Sequence, residues 1–313
     1  MINSFVYPPA LRQGGVIGIP APSTPVGPAL RAQLDHGTAF LHSLGFEVRL
    51  AAHVETNTLG FAAAGIEKAA DINALFADPT IDAIMCAQGG MTANACLAHL
   101  DWDVIRRNPK PFIGISDISV LLNAITTRTG LVTFHGDDLL WGFGRTTTAY
   151  NRSEFLAGYG EGRSGPIPPN RPRHALRAGS AEGRLWGGNL KALLKLAGTP
   201  FWPDLRGAIL FLEDIGLAPD RCDCELTQLL HMGVFDSVSG VVIGFIDGQD
   251  GVATPGNSLG EMLLRLTPER DFPILKTEDF GHNCPNTVLP VGGLAYLDAD
   301  RLTFGLVEPA VIR

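Results

Sequence analysis

An acid and a histidine in the second half of the chain are of the residue types that activate a hydroxyl nucleophile. Glu213 ends the apolar run AILFLED, and His282 lies in the loop segment DFGHNCPN. A buried carboxylate can orient a histidine, which then draws a proton from a hydroxyl group. Taken singly, each residue has a simpler explanation as a solvated strand end or a surface histidine. The pair becomes a catalytic candidate if a nucleophile turn lies upstream.

A candidate nucleophile turn is the stretch IMCAQGGMTANACLAHLD, residues 84–101. An apolar run leads through a pair of glycines, which permit a tight bend, into a helix-like pattern. Free N–H groups at the start of a helix favour the oxyanion of acyl transfer, and we assign this role to Gly90 and Asn94. Where such a turn could carry a serine, the chain has Ala93. Turns of this kind also occur with no catalytic role.

The composition is that of an ordinary globular protein and argues against several functions. The 313 residues are 45% hydrophobic and 18% charged, with a formal net charge of −8. Without a Lys/Arg stripe, this acidic balance argues against nucleic-acid binding. No apolar run reaches the roughly 18 residues that span a bilayer, and no secretory signal is evident. The five cysteines fit neither a disulfide framework nor a zinc site, so we expect a cytoplasmic protein without metal.

Alternating strand and helix patterns predict the elements that must position these residues. Apolar runs predict strands in the first half at residues 15–21, 46–50, 81–87, 111–115 and 131–135. Such runs separated by helices favour a parallel sheet that is covered on both faces. We predict an α/β protein with an N-terminal parallel-sheet (flavodoxin-like) domain over residues 1–145. A linker or active-site loop follows over residues 146–180, and a strand-rich C-terminal α/β domain over residues 181–313.

Ligands of open parallel sheets bind beyond the carboxyl ends of the strands. Three turns are predicted at that edge, residues 20–25, 88–94 and 114–119. Ser23 and Asp117 in two of these turns are candidate ligand contacts, although a helix N-cap explains Asp117 more simply. Trp186 could stack on a flat base or pack between domains. Asn189, three residues later, could add a polar contact.

Several sequence blocks in the right order resemble the serine LD-carboxypeptidase family, which includes murein tetrapeptide carboxypeptidases and microcin C self-immunity hydrolases. The blocks are APSTPV, the run from GGMTAN to TFHG, GRLWGGNL, AILFLEDIG with DRCDCELTQL, and GHNCPNTVLPVGG. The resemblance implies two α/β domains, a homodimer and a Ser–Glu–His triad without metal or cofactor. It implies the glutamate at Glu213, the histidine at His282 and the serine at position 93, where this chain has Ala93.

Three explanations of Ala93 stay open. The favoured one is a Ser→Ala replacement, which leaves the turn and the Glu–His pair in place, so that the chain binds ligand but is nearly inactive. The second is a natural non-catalytic relative that binds a ligand. The third makes Thr92 a displaced nucleophile, although adjacent side chains on a helix point about 100° apart. With a serine at position 93, His282 would take the hydroxyl proton and Glu213 would hold the histidine tautomer.

The substrate class follows from the branch of the family that the chain resembles. The turn GGMTAN and Trp186 favour the microcin C branch, whose substrates are peptidyl or aminoacyl nucleotides. The alternatives are a murein LD-carboxypeptidase that acts on tetrapeptides and a non-catalytic small-molecule binding protein.

Overall fold

The computed structural model of the chain describes residues 4–250 and 256–313, which fold around two β-sheets. In chain order, its strands are β1 (Val16–Ile19), β2 (Glu47–Leu50), β3 (Ala83–Met85), β4 (Phe112–Gly114), β5 (Thr133–His135), β6 (Gly165–Pro166), β7 (His174–Arg177), β8 (Ser180–Asn189), β9 (Ile209–Asp214), β10 (Gly240–Ile246), β11 (Ile274–Gly281), β12 (Leu289–Val291), β13 (Leu294–Asp298) and β14 (Thr303–Leu306). Its α-helices are α1 (Arg31–Ser43), α2 (Gly65–Ala77), α3 (Trp102–Arg107), α4 (Ser119–Thr129), α5 (Ala149–Phe155), α6 (Leu190–Leu194), α7 (Pro219–His231), α8 (Val234–Ser237) and α9 (Leu259–Leu266). The 3-10 turns are Pro28–Leu30, Ala93–His99 and Ser116–Ile118, and π-helical turns cover Leu139–Phe143 and Leu156–Glu161.

The first sheet has the strand order β12-β5-β4-β3-β1-β2. Strands β1 to β5 run parallel to one another, as the apolar runs predict. Along β3, Ile84 enters one hydrophobic core and its neighbours Ala83 and Met85 enter the other. A strand whose two faces are both buried belongs at the centre of a covered sheet. The prediction of an N-terminal parallel-sheet domain is confirmed.

The second sheet has the order β6-β14-β13-β8-β9-β10-β11-β7 and confirms the strand-rich C-terminal half. Its centre, β8 to β11, is parallel. Strands β13 and β14 form an antiparallel pair near the end of the chain. One strand from this half of the chain joins the other sheet, because β12 pairs antiparallel with β5. The two sheets are therefore linked by the chain itself.

The segment 146–180, predicted as a linker or active-site loop, contains regular structure. It forms α5, the π-helical turn that follows it, and strands β6 and β7. Phe155 and Tyr159 from this segment are buried in the core under the first sheet. Its Gly, Pro, Arg and Ser content predicts irregular backbone, but the two buried aromatic side chains pack the segment against the core. The predicted domain boundaries stay predictions.

Across the described ranges of the chain, no helix combines the length and the apolar character needed to cross a membrane.

Candidate active site

Glu213 and His282 meet where the two sheets adjoin. The carboxylate lies at the end of β9 and is fully buried, and its Oε2 is 2.6 Å from Nδ1 of His282. His282 directly follows β11, whose last residue, Gly281, has a φ of 130° that turns the chain off the strand. An ionised carboxylate only accepts hydrogen bonds, so Nδ1 carries the proton that is donated. Nε2 therefore remains available as a base.

The electrostatics of the pair favour an ionised acid beside a basic histidine. Burial alone would raise the pKa of Glu213, but the charge and hydrogen bond of His282, together with the nearby His135, outweigh it and hold that pKa well below its usual range. Burial would lower the pKa of His282, but the charge and hydrogen bond of Glu213 raise it above the ordinary histidine value. The geometry is that of an acid that orients a general base.

A cavity of about 670 Å³ lies in front of His282. The glycine turn contributes Gly89 and Gly90 to its wall, and the next strand–helix connection contributes Ser116. Trp141 lies on the same wall with 41% of its surface exposed. The cavity is therefore bounded by loops at the carboxyl ends of the parallel strands, where ligands of such sheets bind.

Ser116 occupies a sharp turn between β4 and α4. Its φ is 65°, a left-handed value shared, among the described non-glycine residues, with Asn283 and Leu302 alone. Strained backbone of this kind concentrates at functional sites, and a strand–turn–helix serine with such strain is the geometry of a nucleophile elbow. The turn packs closely on Gly89, where a Cβ would lie 2.8 Å from the Ser116 hydroxyl oxygen. Both Ser116 and His282 line the cavity.

The structure does not bring position 93, the predicted nucleophile position, to the cavity. Ala93 is completely buried in the hydrophobic core and is not part of the cavity wall. Its N–H donates to Asp117 over 2.8 Å, so a side chain at this position starts inside the packed region behind the turn. The Gly-Gly pair lines the cavity, but the helical turn that follows it begins with a buried residue that does not.

Thr92 is also held away from the cavity. Its hydroxyl accepts a hydrogen bond from Nζ of Lys68 over 2.7 Å and donates to the carbonyl oxygen of Ser23 over 3.3 Å. Thr92 does not line the cavity. A displaced threonine nucleophile therefore finds no support in the geometry.

Asp117 joins the serine turn to the glycine turn. Its Oδ2 accepts from the N–H of Ala93 and, over 2.6 Å, from the Ser23 hydroxyl, and its Oδ1 pairs with Lys195. The helix α4 instead has Ile118 at its N-cap, without a side-chain hydrogen bond. The N-cap explanation of Asp117 is therefore wrong for α4. Ser23 is likewise a buried member of this brace.

Of the two predicted oxyanion donors, the structure brings only Gly90 to the cavity. Gly90 has a φ of 149°, and a Cβ there would lie 2.1 Å from Oγ1 of Thr24, so this position requires glycine. Asn94 is exposed on the turn that follows Ala93 and does not line the cavity. In a nucleophile elbow the second donor is the N–H of the residue after the nucleophile, which here is Asp117.

The two remaining predicted contacts lie elsewhere. Trp186 is buried, packs edge-on against Phe5 at 6.3 Å between ring centroids, and borders a different cavity. Asn189 is the N-cap of α6, where its Oδ1 accepts from the N–H of Ala192 over 3.1 Å. Neither residue lines the cavity in front of His282. The interdomain-packing explanation of Trp186 fits the structure better than base stacking.

Two acids that the sequence interpretation passed over lie in the cavity wall. Asp137 and Asp138 follow β5 after one intervening residue, Gly136, and are nearly fully buried. Burial raises the pKa of Asp137 to about 7 and that of Asp138 to about 6. Asp137 accepts hydrogen bonds from the side-chain amides of Asn151 and Asn286 over 2.6 and 2.7 Å. Their signal in the sequence is the acid pair at the end of a buried strand.

Two known family models match the two halves of the chain. The family described as "LD-carboxypeptidase N-terminal domain" matches residues 17–136, and "LD-carboxypeptidase C-terminal domain" matches residues 182–297. A probable murein peptide carboxypeptidase of Bacillus subtilis is 33% identical over 306 residues, which cover 97% of this chain and 95% of that protein.

The chain belongs to the LD-carboxypeptidase family.

Another relative points to a different substrate within the same family. The microcin C7 self-immunity protein MccF of Escherichia coli is 29% identical over 95% of this chain and 94% of its own length. The structure of MccF in complex with glutamyl sulfamoyl guanosine has a TM-score of 0.90 and 28% identity, and covers 98% of this chain and 99% of that one. A second MccF structure, in complex with aspartyl sulfamoyl adenosine, also has a TM-score of 0.90.

The sequence also contains a signal for Ser116. The segment GISDIS lies at the predicted ligand-binding edge of the sheet, and its first serine follows an apolar strand and precedes a helix. Gly114, two residues earlier, permits close packing, since a Cβ there would lie 2.6 Å from Ile118. The Gly-x-Ser spacing before a helix indicates a nucleophile elbow, although the second glycine of the common motif is Ile118 here.

Proposed function

We propose that this chain is an active serine hydrolase of the carboxypeptidase type, with Ser116, His282 and Glu213 as its catalytic triad. The observation that carries the proposal is the strained backbone of Ser116 on the wall of the cavity that His282 also lines. The 2.6 Å contact between His282 and Glu213 supplies an oriented base. Under this proposal Ala93 has no part in the chemistry, and no Ser→Ala replacement has to be assumed.

The reaction is acyl transfer to water through a covalent intermediate. The Ser116 hydroxyl oxygen attacks the scissile carbonyl carbon while Nε2 of His282 accepts the hydroxyl proton. His282 gives that proton to the leaving nitrogen, the C–N bond breaks, and an acyl ester remains on Ser116. A water molecule then attacks the ester with His282 again as base, and the proton returns to Ser116. Glu213 stabilises the imidazolium in both steps.

The oxyanion is held by backbone N–H groups on the two turns that Asp117 ties together. The proposed donors are the N–H of Gly90 and the N–H of Asp117 itself. Donors fixed before the reaction need little reorganisation, and loss of a single one typically costs about 10²–10³-fold in kcat. The buried carboxylate of Asp117 sets the spacing between the turns, since it accepts from Ala93 on one turn and belongs to the other.

The substrate class that we favour is a peptidyl or aminoacyl nucleotide, cut at the amide or acyl-like bond beside a carboxyl-bearing residue. Two of the MccF structures that resemble this chain are complexes with aminoacyl sulfamoyl nucleosides. The aromatic side chain at this cavity is Trp141 rather than Trp186, and its indole is held by a 2.9 Å hydrogen bond from Nε1 to Gln88. A half-exposed indole fixed in this way can contact a planar base.

A murein peptide is the second candidate substrate. The specific observation in its favour is the probable murein peptide carboxypeptidase of Bacillus subtilis, which at 33% identity is more similar to this chain than MccF is. The same triad would cleave the bond before the terminal residue of a tetrapeptide. A homodimer and a cytoplasmic location stay predictions from the sequence.

The decisive experiment compares changes at the two candidate nucleophile positions. We expect Ser116→Ala to lower kcat/KM by about 10³-fold or more, since removal of a triad member leaves only oxyanion-hole and binding effects. Ala93→Ser is the matched control and should not raise activity, because its hydroxyl would be buried behind the turn. Both proteins are assayed with an aminoacyl sulfamoyl adenosine and with a murein tetrapeptide, and intact-mass spectrometry follows labelling by a fluorophosphonate.

Each alternative function predicts a different result. Labelling that persists in Ser116→Ala, or activity that appears only in Ala93→Ser, would overturn the assignment of Ser116. Cleavage of neither substrate and no labelling of the unaltered protein would favour a non-catalytic binding protein. Preference of the unaltered protein for one substrate identifies the branch.

A further inference from the structure

A second imidazole lies on the opposite side of Glu213 from His282. His135 is the last residue of β5 and is completely buried, and its Nε2 is 4.0 Å from Oε1 of Glu213. The other carboxylate oxygen, Oε2, already binds His282. The acid of the proposed triad thus lies between two histidines, one on the first sheet and one that follows a strand of the second.

Three buried polar atoms in this small region have no hydrogen-bond partner. They are Oε1 of Glu213 and both ring nitrogens of His135. A buried polar group without a partner costs free energy, and a buried carboxylate oxygen is an expensive case. Since an ionised carboxylate needs donors and a neutral imidazole has one N–H, the two groups satisfy one another if they meet.

The surroundings of His135 leave Glu213 as its partner. The rings of Phe211 and Phe280 contact the imidazole edge-to-face, with centroids at 5.4 and 6.0 Å. Another neighbour is Gly188, where a Cβ would lie 3.4 Å from Cδ2 of His135. These contacts fix the plane of the ring but offer Nε2 no hydrogen bond. An approach of about 1 Å brings Nε2 within the ordinary N–H···O range of Oε1.

We propose that His135, as its neutral Nε2–H tautomer, donates a hydrogen bond to Oε1 of Glu213 and is a positioning residue of the active site. This inference rests on the proposed function of the Ser116–His282–Glu213 triad. His135 does not line the cavity, so its effect passes through the carboxylate. One donor on each oxygen fixes the carboxylate plane and directs Oε2 at His282.

The second donor should also influence how strongly Glu213 attracts the proton of His282. With His135 in place, the charge of the carboxylate is shared between two N–H groups. When that donor is removed, His282 alone stabilises the charge and keeps its proton to higher pH. Asp138 and Asp214 also raise the pKa of His282, and both remain unchanged in the variants below. A change in the acid limb of the pH–rate profile therefore reports on His135.

Two amide substitutions separate a positioning role from simple filling of space. In His135→Gln the side-chain amide reaches about as far as Nε2 and keeps a donor toward Oε1. In His135→Asn the amide ends near the position of Nδ1 and cannot reach. We expect His135→Asn to lower kcat about tenfold with little change in KM, and to move the acid limb of the pH–rate profile to higher pH. In His135→Gln, kcat and the position of the acid limb should stay near those of the unaltered protein. His135→Phe, which retains the ring without a donor, should behave as His135→Asn does.

Two results with these variants would overturn the inference. Equal losses in the Gln and Asn variants, or an acid limb that stays in place or moves to lower pH in His135→Asn, mean that His135 only fills space. Thermal unfolding of each variant identifies losses of kcat that come from loss of fold.

A measurement on the unaltered protein needs no variant. In ¹⁵N-resolved NMR, His135 should show its proton on Nε2, and a proton on Nδ1 overturns the inference. The result is independent of turnover, whereas fluorophosphonate labelling of Ser116 tests the proposed function by itself. The protein can therefore fail one test and pass the other.

Discussion

At the scale of single residues, backbone conformation distinguishes the proposed nucleophile from a position that does not reach the cavity. Ser116 has a left-handed φ and lines the cavity, whereas Ala93 is buried behind the neighbouring turn. Both follow a strand and precede a helical turn, so residue type and order alone do not distinguish them. A local contact also determines which nitrogen of His282 can act as the proposed base. Because Nδ1 is hydrogen-bonded to Glu213, only Nε2 is left for proton transfer.

The pH dependence of the reaction tests this arrangement at one residue. His282 must be unprotonated to act as base, and its pKa is raised, so activity should increase as the pH rises through a value above 6.5. In Glu213→Gln the charge that raises this pKa is gone, so the acid limb should move to lower pH. We also expect kcat to fall by about 10³-fold or more, since an amide does not enforce the needed tautomer. The measurement is kcat/KM from pH 5 to 9, and a limb that does not move contradicts the assignment.

At the scale of elements, the proposed active site is made from two turns that Asp117 joins. The serine turn follows β4 and the glycine turn follows β3, and the two strands are neighbours in the sheet. Asp117 closes the gap between their loops through the N–H of Ala93 and the hydroxyl of Ser23, and Lys195 balances its charge. Adjacent parallel strands bring the turns near each other, and this carboxylate fixes their spacing.

Asp117→Asn should therefore lower both the free energy of unfolding and the catalytic rate. The amide of the asparagine retains one acceptor oxygen. Its NH₂ group, however, faces one of the groups that donate to Asp117, and Lys195 loses its ion-pair partner. Breaking a buried ion pair costs about 3–5 kcal/mol, and partial exposure of Lys195 should bring the loss to the lower end of that range. Urea unfolding measures the stability. Lys195→Met is the matched control that removes the pair and keeps the carboxylate. Equal stability of Asp117→Asn and the unaltered protein would contradict the role of the brace.

At the scale of the whole molecule, the two halves of the chain interlock. Strand β12 from the second half pairs with β5 in the first sheet. Asn123 of α4 donates to the carbonyl oxygen of Gly187 in the second sheet over 2.7 Å. Asp137, just beyond β5, accepts from Asn286 in the loop that leads to β12. Since these links cross between halves, neither half should unfold by itself.

The buried acid Asp137 makes the stability of the molecule depend on pH. Its pKa is raised from 3.8 to about 7, so between these values the folded protein binds a proton that the unfolded chain releases. Stability from this group therefore decreases as the pH rises through that window. Asp137→Asn should remove up to about 1.4 kcal/mol per pH unit from the slope of the unfolding free energy against pH. The contribution of Asp138 to that slope remains. Urea unfolding of both proteins at pH 5 and pH 8 measures this slope, and an equal slope in Asp137→Asn and the unaltered protein would contradict the role of Asp137.

The sequence predicts the fold more completely than the site, for a physical reason. Buried strands are runs of apolar residues, so β1 and β3 to β5 are visible one segment at a time. Glu213 and His282 are also visible, since each ends or follows such a run. The φ of Ser116, the buried state of Ala93 and the distance of Trp186 from the cavity depend on how several segments pack together. Periodicity within a single segment carries no information about them.

The pairing of β12 with β5 has a consequence for synthesis of the protein. The proposed nucleophile turn is synthesised early in translation, but His282 and the strand that pairs next to its loop with the first sheet leave the ribosome much later. A nascent chain that carries Ser116 therefore has no base to activate it, and the hydroxyl stays unreactive until the late segment docks.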